Sequence, residues 1–277
     1  MSKCEGCPNQ GSCGQNENSC SKVFNPNDNI KHVIAVISGK GGVCISSMNV
    51  LLDKMLKAQG YEVGILDADI TGPSIPRLLN LSNEMAYGSN DAIEPVYDKD
   101  DIKSISLNYL LENENQPVIW RGSLINSAIK QFYRDVLWGD LDYLFIDMPP
   151  GTGDIALTVL QDLPVEGVVM ISTPQDMVSM IVSKAINMCK EVAIPVYGVI
   201  ENMSYIECPD CGKRIDLYPN SNIEKFLNEN GVELWNQLPM ISEISTIDKD
   251  YNFTTEQNQK VEALMKPIVE GLLKHTK

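Results

Sequence analysis

The segment Val33-Ile34-Ala35-Val36-Ile37-Ser38-Gly39-Lys40-Gly41-Gly42-Val43-Cys44-Ile45-Ser46-Ser47 decides the fold. An unbroken apolar run, mostly β-branched, enters a cluster of glycines, as a strand buried on both faces does. From Ser46 to Gln59 the apolar residues recur at helical spacing, with Val50, Leu51, Met55 and Leu56 among them. A glycine-rich loop between a buried strand and a helix aims backbone amides and the helix N-terminus at one point. That arrangement suits a phosphate.

The same style recurs along the chain. Tyr61–Asp67 reads as a strand ending in Asp67-Ala68-Asp69, and Leu144-Phe145-Ile146-Asp147 as another with an aspartate at its end. Val168–Ser172 and Pro195–Ile200 follow, separated by a helical stretch from Met177 to Val192. Strands alternating with helices predict an α/β fold with a doubly wound, mostly parallel sheet. Ligands of such sheets sit at the carboxyl ends of the strands, where the glycines and aspartates fall. Residues 1–28 form a polar arm carrying Cys4, Cys7, Cys13 and Cys20, and residues 29–277 form the α/β unit. The segment from Val261 to Lys277, with Leu264, Ile268, Leu272 and Leu273, reads as a closing helix on the core.

Composition narrows the function. Of the 277 residues 43% are hydrophobic, enough for a packed core, and the net charge is −15. A surface that negative repels nucleic-acid backbones and anionic headgroups, so neither nucleic acid nor membrane is an expected partner. No apolar run reaches the roughly 18 residues of a membrane span, and the polar start lacks a secretory h-region. A cytoplasmic location follows as the expectation, with cysteines serving as ligands or redox groups rather than disulfides. The only two histidines, His32 at a strand start and His275 in a tail expected to fray, make histidine catalysis improbable.

Against the phosphate-loop pattern G-x-x-x-x-G-K-[ST], Gly39 and Ser46 are in register. Cys44 stands where the second glycine belongs, and Ile45 where the lysine belongs. The loop resembles the deviant Walker A motif K-G-G-V-G-K-S-S of the Mrp-type iron–sulfur cluster carriers, MinD and nitrogenase reductase. That resemblance implies a P-loop NTPase fold binding ATP with Mg²⁺, the nucleotide resting on Gly39, Gly41, Gly42, Ser46 and Ser47. It also implies that Lys40 reaches across a homodimer to the partner's nucleotide, while Ile45 replaces the lysine acting in cis. Losing a charge-assisted bond of about 1.5–3 kcal/mol weakens binding roughly tenfold to a hundredfold. Losing a preorganised charge at the transferring phosphoryl costs on the order of 100- to 1,000-fold in rate. Cys44 adds about 1–3 kcal/mol of strain if the loop requires a positive φ there. ATP hydrolysis is therefore expected to be weak or absent.

Leu66-Asp67-Ala68-Asp69-Ile70-Thr71-Gly72-Pro73 is similar to the family's switch I, in which the residue matching Asp69 helps position the attacking water. Asp147-Met148-Pro149-Pro150-Gly151-Thr152-Gly153-Asp154 is similar to its Walker B and switch II, so Asp147 is expected to hold Mg²⁺ through water. Asn202 matches a position beside the adenine ring. Trp120-Arg121-Gly122 resembles a further landmark, structural or at the dimer interface. The resemblance runs from about Asn29 to Tyr218 and weakens beyond.

Cys208-Pro209-Asp210-Cys211-Gly212-Lys213 presents a C-x-x-C pair in a turn after a strand. Such a pair offers two thiolates to one metal. Its own chemistry fits half a zinc site, a dithiol, or half a 4Fe–4S site completed by a second subunit. Family resemblance implies the last. Cys4, Cys7 and Cys13 are similar to the arm of relatives with a second, N-terminal cluster, for which Cys20 is the remaining fourth ligand. Cys189 is expected to be core filler, and Cys44 a small packing residue.

The leading expectation is a carrier that holds a 4Fe–4S cluster at a homodimer interface and passes it to apo iron–sulfur proteins. The alternative is a P-loop ATPase switch that works through Lys40, with zinc at the C-x-x-C pair. An electron-transfer ATPase is less favoured, because the cluster ligands of that group are not one C-x-x-C.

Overall fold

A parallel sheet forms around the quoted segment. In the computed structural model, strand β1 (Asn29–Ser38) is buried from Val33 to Ser38 and is followed by helix α1 (Ile45–Ala58) and β2 (Val63–Asp67). The short α2 (Ile75–Leu78) leads to four short strands: β3 (Gly88–Ser89), β4 (Ala92–Ile93), β5 (Val96–Tyr97) and β6 (Lys103–Ile105). Helix α3 (Gly122–Asp135), β7 (Asp140–Asp147), α4 (Asp154–Asp162), β8 (Gly167–Ser172) and α5 (Val178–Glu191) complete the alternation. Then come β9 (Val196–Glu207), β10 (Arg214–Asp216), α6 (Ile223–Glu229), β11 (Leu234–Pro239) and a last helix, α7 (Glu256–His275). The structure describes residues 22–277 except 27, 90–91, 112, 114–115, 117–119, 121, 175–177, 219–222, 242–243 and 245–255. Cys4, Cys7, Cys13, Cys20 and Arg121 lie outside the described residues.

The sheet runs β10-β9-β8-β1-β7-β2-β6-β5, with β11 also paired to β9. Only β5 and β10, at the two edges, run antiparallel to their neighbours. Val36 is level with Asp147 on one side and Val169 on the other, so β1 is central and its apolar run is enclosed. Helix α1 buries Met48, Leu51, Leu52, Met55 and Leu56, and α7 buries Val261, Met265, Ile268, Val269 and Leu272. The closing helix is thus present, on a stripe that includes Ile268 and Leu272, whereas Leu264 and Leu273 are only half-buried.

Two expectations are corrected. The strand predicted over Pro195–Ile200 continues to Glu207, because β10 pairs with Tyr205–Glu207 and β11 with Val199–Glu201 and again at Tyr205. His275 does not fray: it ends α7 and stacks on Tyr197, with centroids 4.6 Å apart and planes 6° from parallel. The residues between Ser82 and Ser106, unassigned by pattern, supply two hairpin-like strand pairs too short to show a period.

One buried charge breaks the pattern of the core. Asp53, on the inner side of α1, is 0% exposed, and neither carboxylate oxygen has a hydrogen-bond partner. Its neighbour Lys54 is committed to Asp98 at 3.2 Å and Asp100 at 3.1 Å. Burial, then the charge of Asp98, pushes the Asp53 carboxyl well above its ordinary range, with Lys54 opposing. The native state therefore holds a proton that the unfolded chain releases, and stability falls as pH rises above the ordinary carboxylate range. Asp53→Leu is expected to stabilise the fold by about 1–3 kcal/mol near neutral pH. In denaturant unfolding its advantage over the parent should grow as pH rises above the ordinary carboxylate range; a pH-independent advantage would contradict the assignment.

Candidate functional site

The loop between β1 and α1 is held by close packing. A Cβ on Gly39 would stand 2.1 Å from Cγ2 of Ile181 in α5, so only glycine fits there. Gly42 has φ 77°, and Cys44, the residue capping α1, has φ 63° and ψ 45°. The condition for strain at position 44, a positive φ, is met, so a cysteine there carries left-handed strain of about 1–3 kcal/mol. Ser38 Oγ donates to the Lys40 carbonyl at 2.6 Å, and Asn202 Nδ2 donates to the Val43 carbonyl at 3.1 Å. Ile45 is only 8% exposed and belongs to the hydrophobic core, so the position that carries lysine in the motif is an apolar anchor here. Lys40 is half-buried, which lowers its ammonium pKa. The first amides of α1, at Ile45, Ser46 and Ser47, have no intrahelical acceptor and remain available to an anion.

Three aspartates gather beside the loop. Asp67 and Asp147 end β2 and β7 in register, and Ser46 Oγ donates to Asp147 Oδ2 at 2.6 Å. Burial pushes the Asp147 carboxyl up to about 7; the Ser46 bond counters this, and Asn49 also favours the ionised form from outside hydrogen-bond geometry. Asp67 accepts from Ser106 Oγ at 2.9 Å and from the Asp69 amide at 3.1 Å. Burial and the charge of Asp147 hold its carboxyl well above the ordinary range. Asp69 accepts from Thr71 Oγ1 at 3.1 Å and the Gly72 amide at 3.2 Å, at the exposed end of the cluster.

The donor set fits a nucleotide-borne Mg²⁺. Asp147 Oδ1 is buried without a hydrogen bond, the Ser46 hydroxyl adjoins it, and a cation would relieve the mutual repulsion of the acids. Among the described residues no three His, Cys, Asp or Glu side chains close around a metal. Most of its ligands would therefore come from water and phosphate. A cavity of about 360 Å³ opens next to the loop, lined mainly by apolar atoms of Cys44, Met203, Pro239, Met240 and Ile241, with Asn202 at its polar end. Sequence reasoning singled out Asn202 and Cys44 but not the walls Pro239, Met240 and Ile241, which come from β11 and the residues after it.

The second centre is the turn between β9 and β10. The Cys208 amide donates to the Lys213 carbonyl at 3.0 Å, and the Gly212 amide to the Cys208 carbonyl at 2.8 Å. Gly212 has φ 67°, which closes the turn and leaves both cysteines at its tip. Backbone amides of Asp210 and Cys211, then the Cys211 thiol, lower the Cys208 pKa. This is the environment of a thiolate ligand. The turn joins antiparallel strands instead of opening a helix, so it lacks the setting of a thioredoxin-type dithiol. Exposed Ile215, Leu217, Tyr218 and Met240 lie on the adjoining chain. Burial raises the Cys44 thiol and pushes Cys189 up to about 11, which suits neither as a thiolate ligand. Trp120 is 40% exposed.

Comparison with known proteins agrees with this geometry. A family model described as the NUBPL iron-transfer P-loop NTPase, of the ParA group, matches residues 29–273, so the similarity extends well past Tyr218. An iron-sulfur cluster carrier protein of Methanocaldococcus jannaschii is 42% identical over 243 residues, covering 86% of this chain and 84% of that protein. Its counterpart in Clostridium perfringens is 43% identical over 254 residues, covering 87% and 89%. Among solved structures, a nucleotide-binding protein of Archaeoglobus fulgidus in complex with ADP is 40% identical, with a TM-score of 0.70 over 79% of this chain and 86% of that one. MinD of Aquifex aeolicus, 17% identical with a TM-score of 0.57 over 86% and 97%, shares the fold. With the family model spanning nearly all of the α/β unit, the chain belongs to the iron-transfer P-loop NTPases of the ParA group.

Proposed function

We propose that this chain is an iron–sulfur cluster carrier. Two copies meet about a twofold axis, and each contributes Cys208 and Cys211 to one 4Fe–4S cluster, which is then passed to an apo-protein in the cytoplasm. The observation that carries the reading is the turn itself: an outward-facing thiol pair, one member held acidic by backbone amides, which among the described residues belongs to no group of three His, Cys, Asp or Glu side chains able to hold a metal. Half a ligand set at an exposed tip suits a shared cluster. Exposure also suits release, because an incoming thiolate of the recipient can replace each cysteine one for one. Residues 1–28, with Cys4, Cys7 and Cys13, are proposed to hold a second cluster on the arm, and residues 29–277 to act as the carrier body.

The nucleotide site is proposed as an inherited, weakened partner of this activity. Gly39, Gly41, Gly42, Ser46 and Ser47 surround the phosphates, Asp147 holds Mg²⁺ through water, and Asn202 meets the base. Lys40 and Asp69 would serve turnover if any persists. The alternative, a Lys40-dependent switch with zinc at Cys208 and Cys211, uses the same residues and differs in the metal and in the necessity of nucleotide.

Two substitutions test the account of the loop. Cys44→Gly relieves the left-handed strain and should stabilise the chain by about 1 kcal/mol in denaturant unfolding. Adding Ile45→Lys should tighten Mg–ATP binding roughly tenfold to a hundredfold by calorimetry. Unchanged affinity would show that the missing charge is not what limits binding. For the carrier reading, chain reconstituted anaerobically with iron and sulfide is mixed with an apo 4Fe–4S enzyme, and the recovery of activity is followed. Activation should occur without ATP and disappear with Cys208→Ser or Cys211→Ser. Activation that persists in both variants would refute the assignment of the ligands.

A further inference from the structure

The pocket and the thiol turn are built on one strand. Asn202 and Met203 of β9 line the cavity beside Cys44, with Glu201 directly preceding them in the strand, and the same strand ends at Glu207, next to Cys208. The ladder between them is interrupted. On the β11 side Gln237 is level with Glu201 and Pro239 with Tyr205, so two steps along β11 answer four along β9. The surplus residues include Met203, whose φ is 54°. This bulge forms the rim of the cavity, and a bulge decouples the two halves of a strand unless side chains bridge it.

Side chains do bridge it. Ser204 Oγ donates to Glu201 Oε2 at 2.6 Å, and Gln237 Nε2 donates to the same oxygen at 2.7 Å. Glu201 is 0% exposed, so these bonds lie in a low-dielectric setting where their loss is costly. Gln237 then accepts through Oε1 from Arg214 at 2.9 Å. Arg214 opens β10 directly after the cysteine turn, lies 4.2 Å over the Tyr205 ring, and pairs with Asp216 at 2.6 Å. One amide thus joins a buried carboxylate, the chain neighbour of the cavity residue Asn202, to a guanidinium at the base of the thiol turn. Its two ends differ in role, and neither aspartate nor glutamate could serve both, since one end must donate and the other accept.

The geometry points to Gln237 as a positioning residue for the Cys208–Cys211 turn, carrying displacements of the cavity rim across the bulge through Glu201 and Arg214. It touches neither the thiols nor the loop. The inference deepens the proposed function, because the thiols it positions are the ligands assigned there. It explains why a chain with an impaired loop keeps a built connection between cavity and cysteines.

The test uses the metal-free, reduced full chain, so it remains informative even if cluster loading fails; that failure would defeat the carrier reading alone. Alkylation of each cysteine by iodoacetamide is timed by mass spectrometry, with buried Cys189 reporting any loss of fold. The cavity end is perturbed with Glu201→Gln, or with Asn202→Ala should the first not fold. The rate at Cys208 should change by at least about threefold while Cys189 stays protected. In a Gln237→Leu background the same perturbation should leave the Cys208 rate unchanged. Gln237→Glu, which keeps an acceptor for Arg214 and loses the donor to Glu201, should behave like Gln237→Leu. Equal effects with and without Gln237, or no effect at the thiols in either background, would overturn the inference.

Discussion

Parallel pairing of β1 with β7, and of β7 with β2, sets the level at which these strands end, and the chemistry of this chain is arranged at that level. Because Val36 is level with Asp147 and Asp147 with Asp67, the phosphate loop leaves the sheet beside two buried carboxylates. The apolar run that encloses β1 excludes water from their inner sides, which is why both carboxyls are shifted upward. Ser46, placed by the first turn of α1, is then close enough to bond Asp147. Moving β1 by one residue against β7 would shift the loop relative to Asp147 and Asp67 and separate these groups together.

The two centres answer differently to sequence change. The loop depends on side-chain charge and on glycine conformations, and both have been altered, at Ile45 and Cys44. Its scaffold persists because Gly39, Ser46 and Asp147 are held by packing and hydrogen bonds that those changes do not touch. The cysteine turn is closed by its own backbone amides and one glycine, so its fold does not depend on the side chains at Ile45 and Cys44. A carrier needs the second centre for its cargo and the first only for control. That asymmetry favours cluster handling over a nucleotide switch as the activity that the proposed reading preserves.

Much of this was readable before any coordinates. The enclosed strand, the glycines and the strand-end aspartates are local signals, each with its own physical cause, and the motif marked position 44 as one where a positive φ would strain a cysteine. The cysteine spacing likewise identified its turn. What escaped were features set by distant partners. The second half of β9 is a strand because β10 and β11 pair with it, and its bulge has no periodic signature. Asp53 sits at a helical position that looks like any other charged residue until α1 is packed on the sheet. His275 is ordered by Tyr197, nearly eighty positions away in sequence, which no window around the tail contains.

The most direct measurement is an iron and sulfide count on anaerobically reconstituted chain, combined with its sedimentation mass and absorption spectrum. The arm cysteines Cys4, Cys7, Cys13 and Cys20 are replaced by serine so that only the central centre is counted. The account predicts about four iron and four sulfide per pair of chains, in a dimer that falls apart, colourless, when Cys208 and Cys211 become serine. A monomer holding zinc with no sulfide, or a cluster indifferent to those two residues, would contradict it.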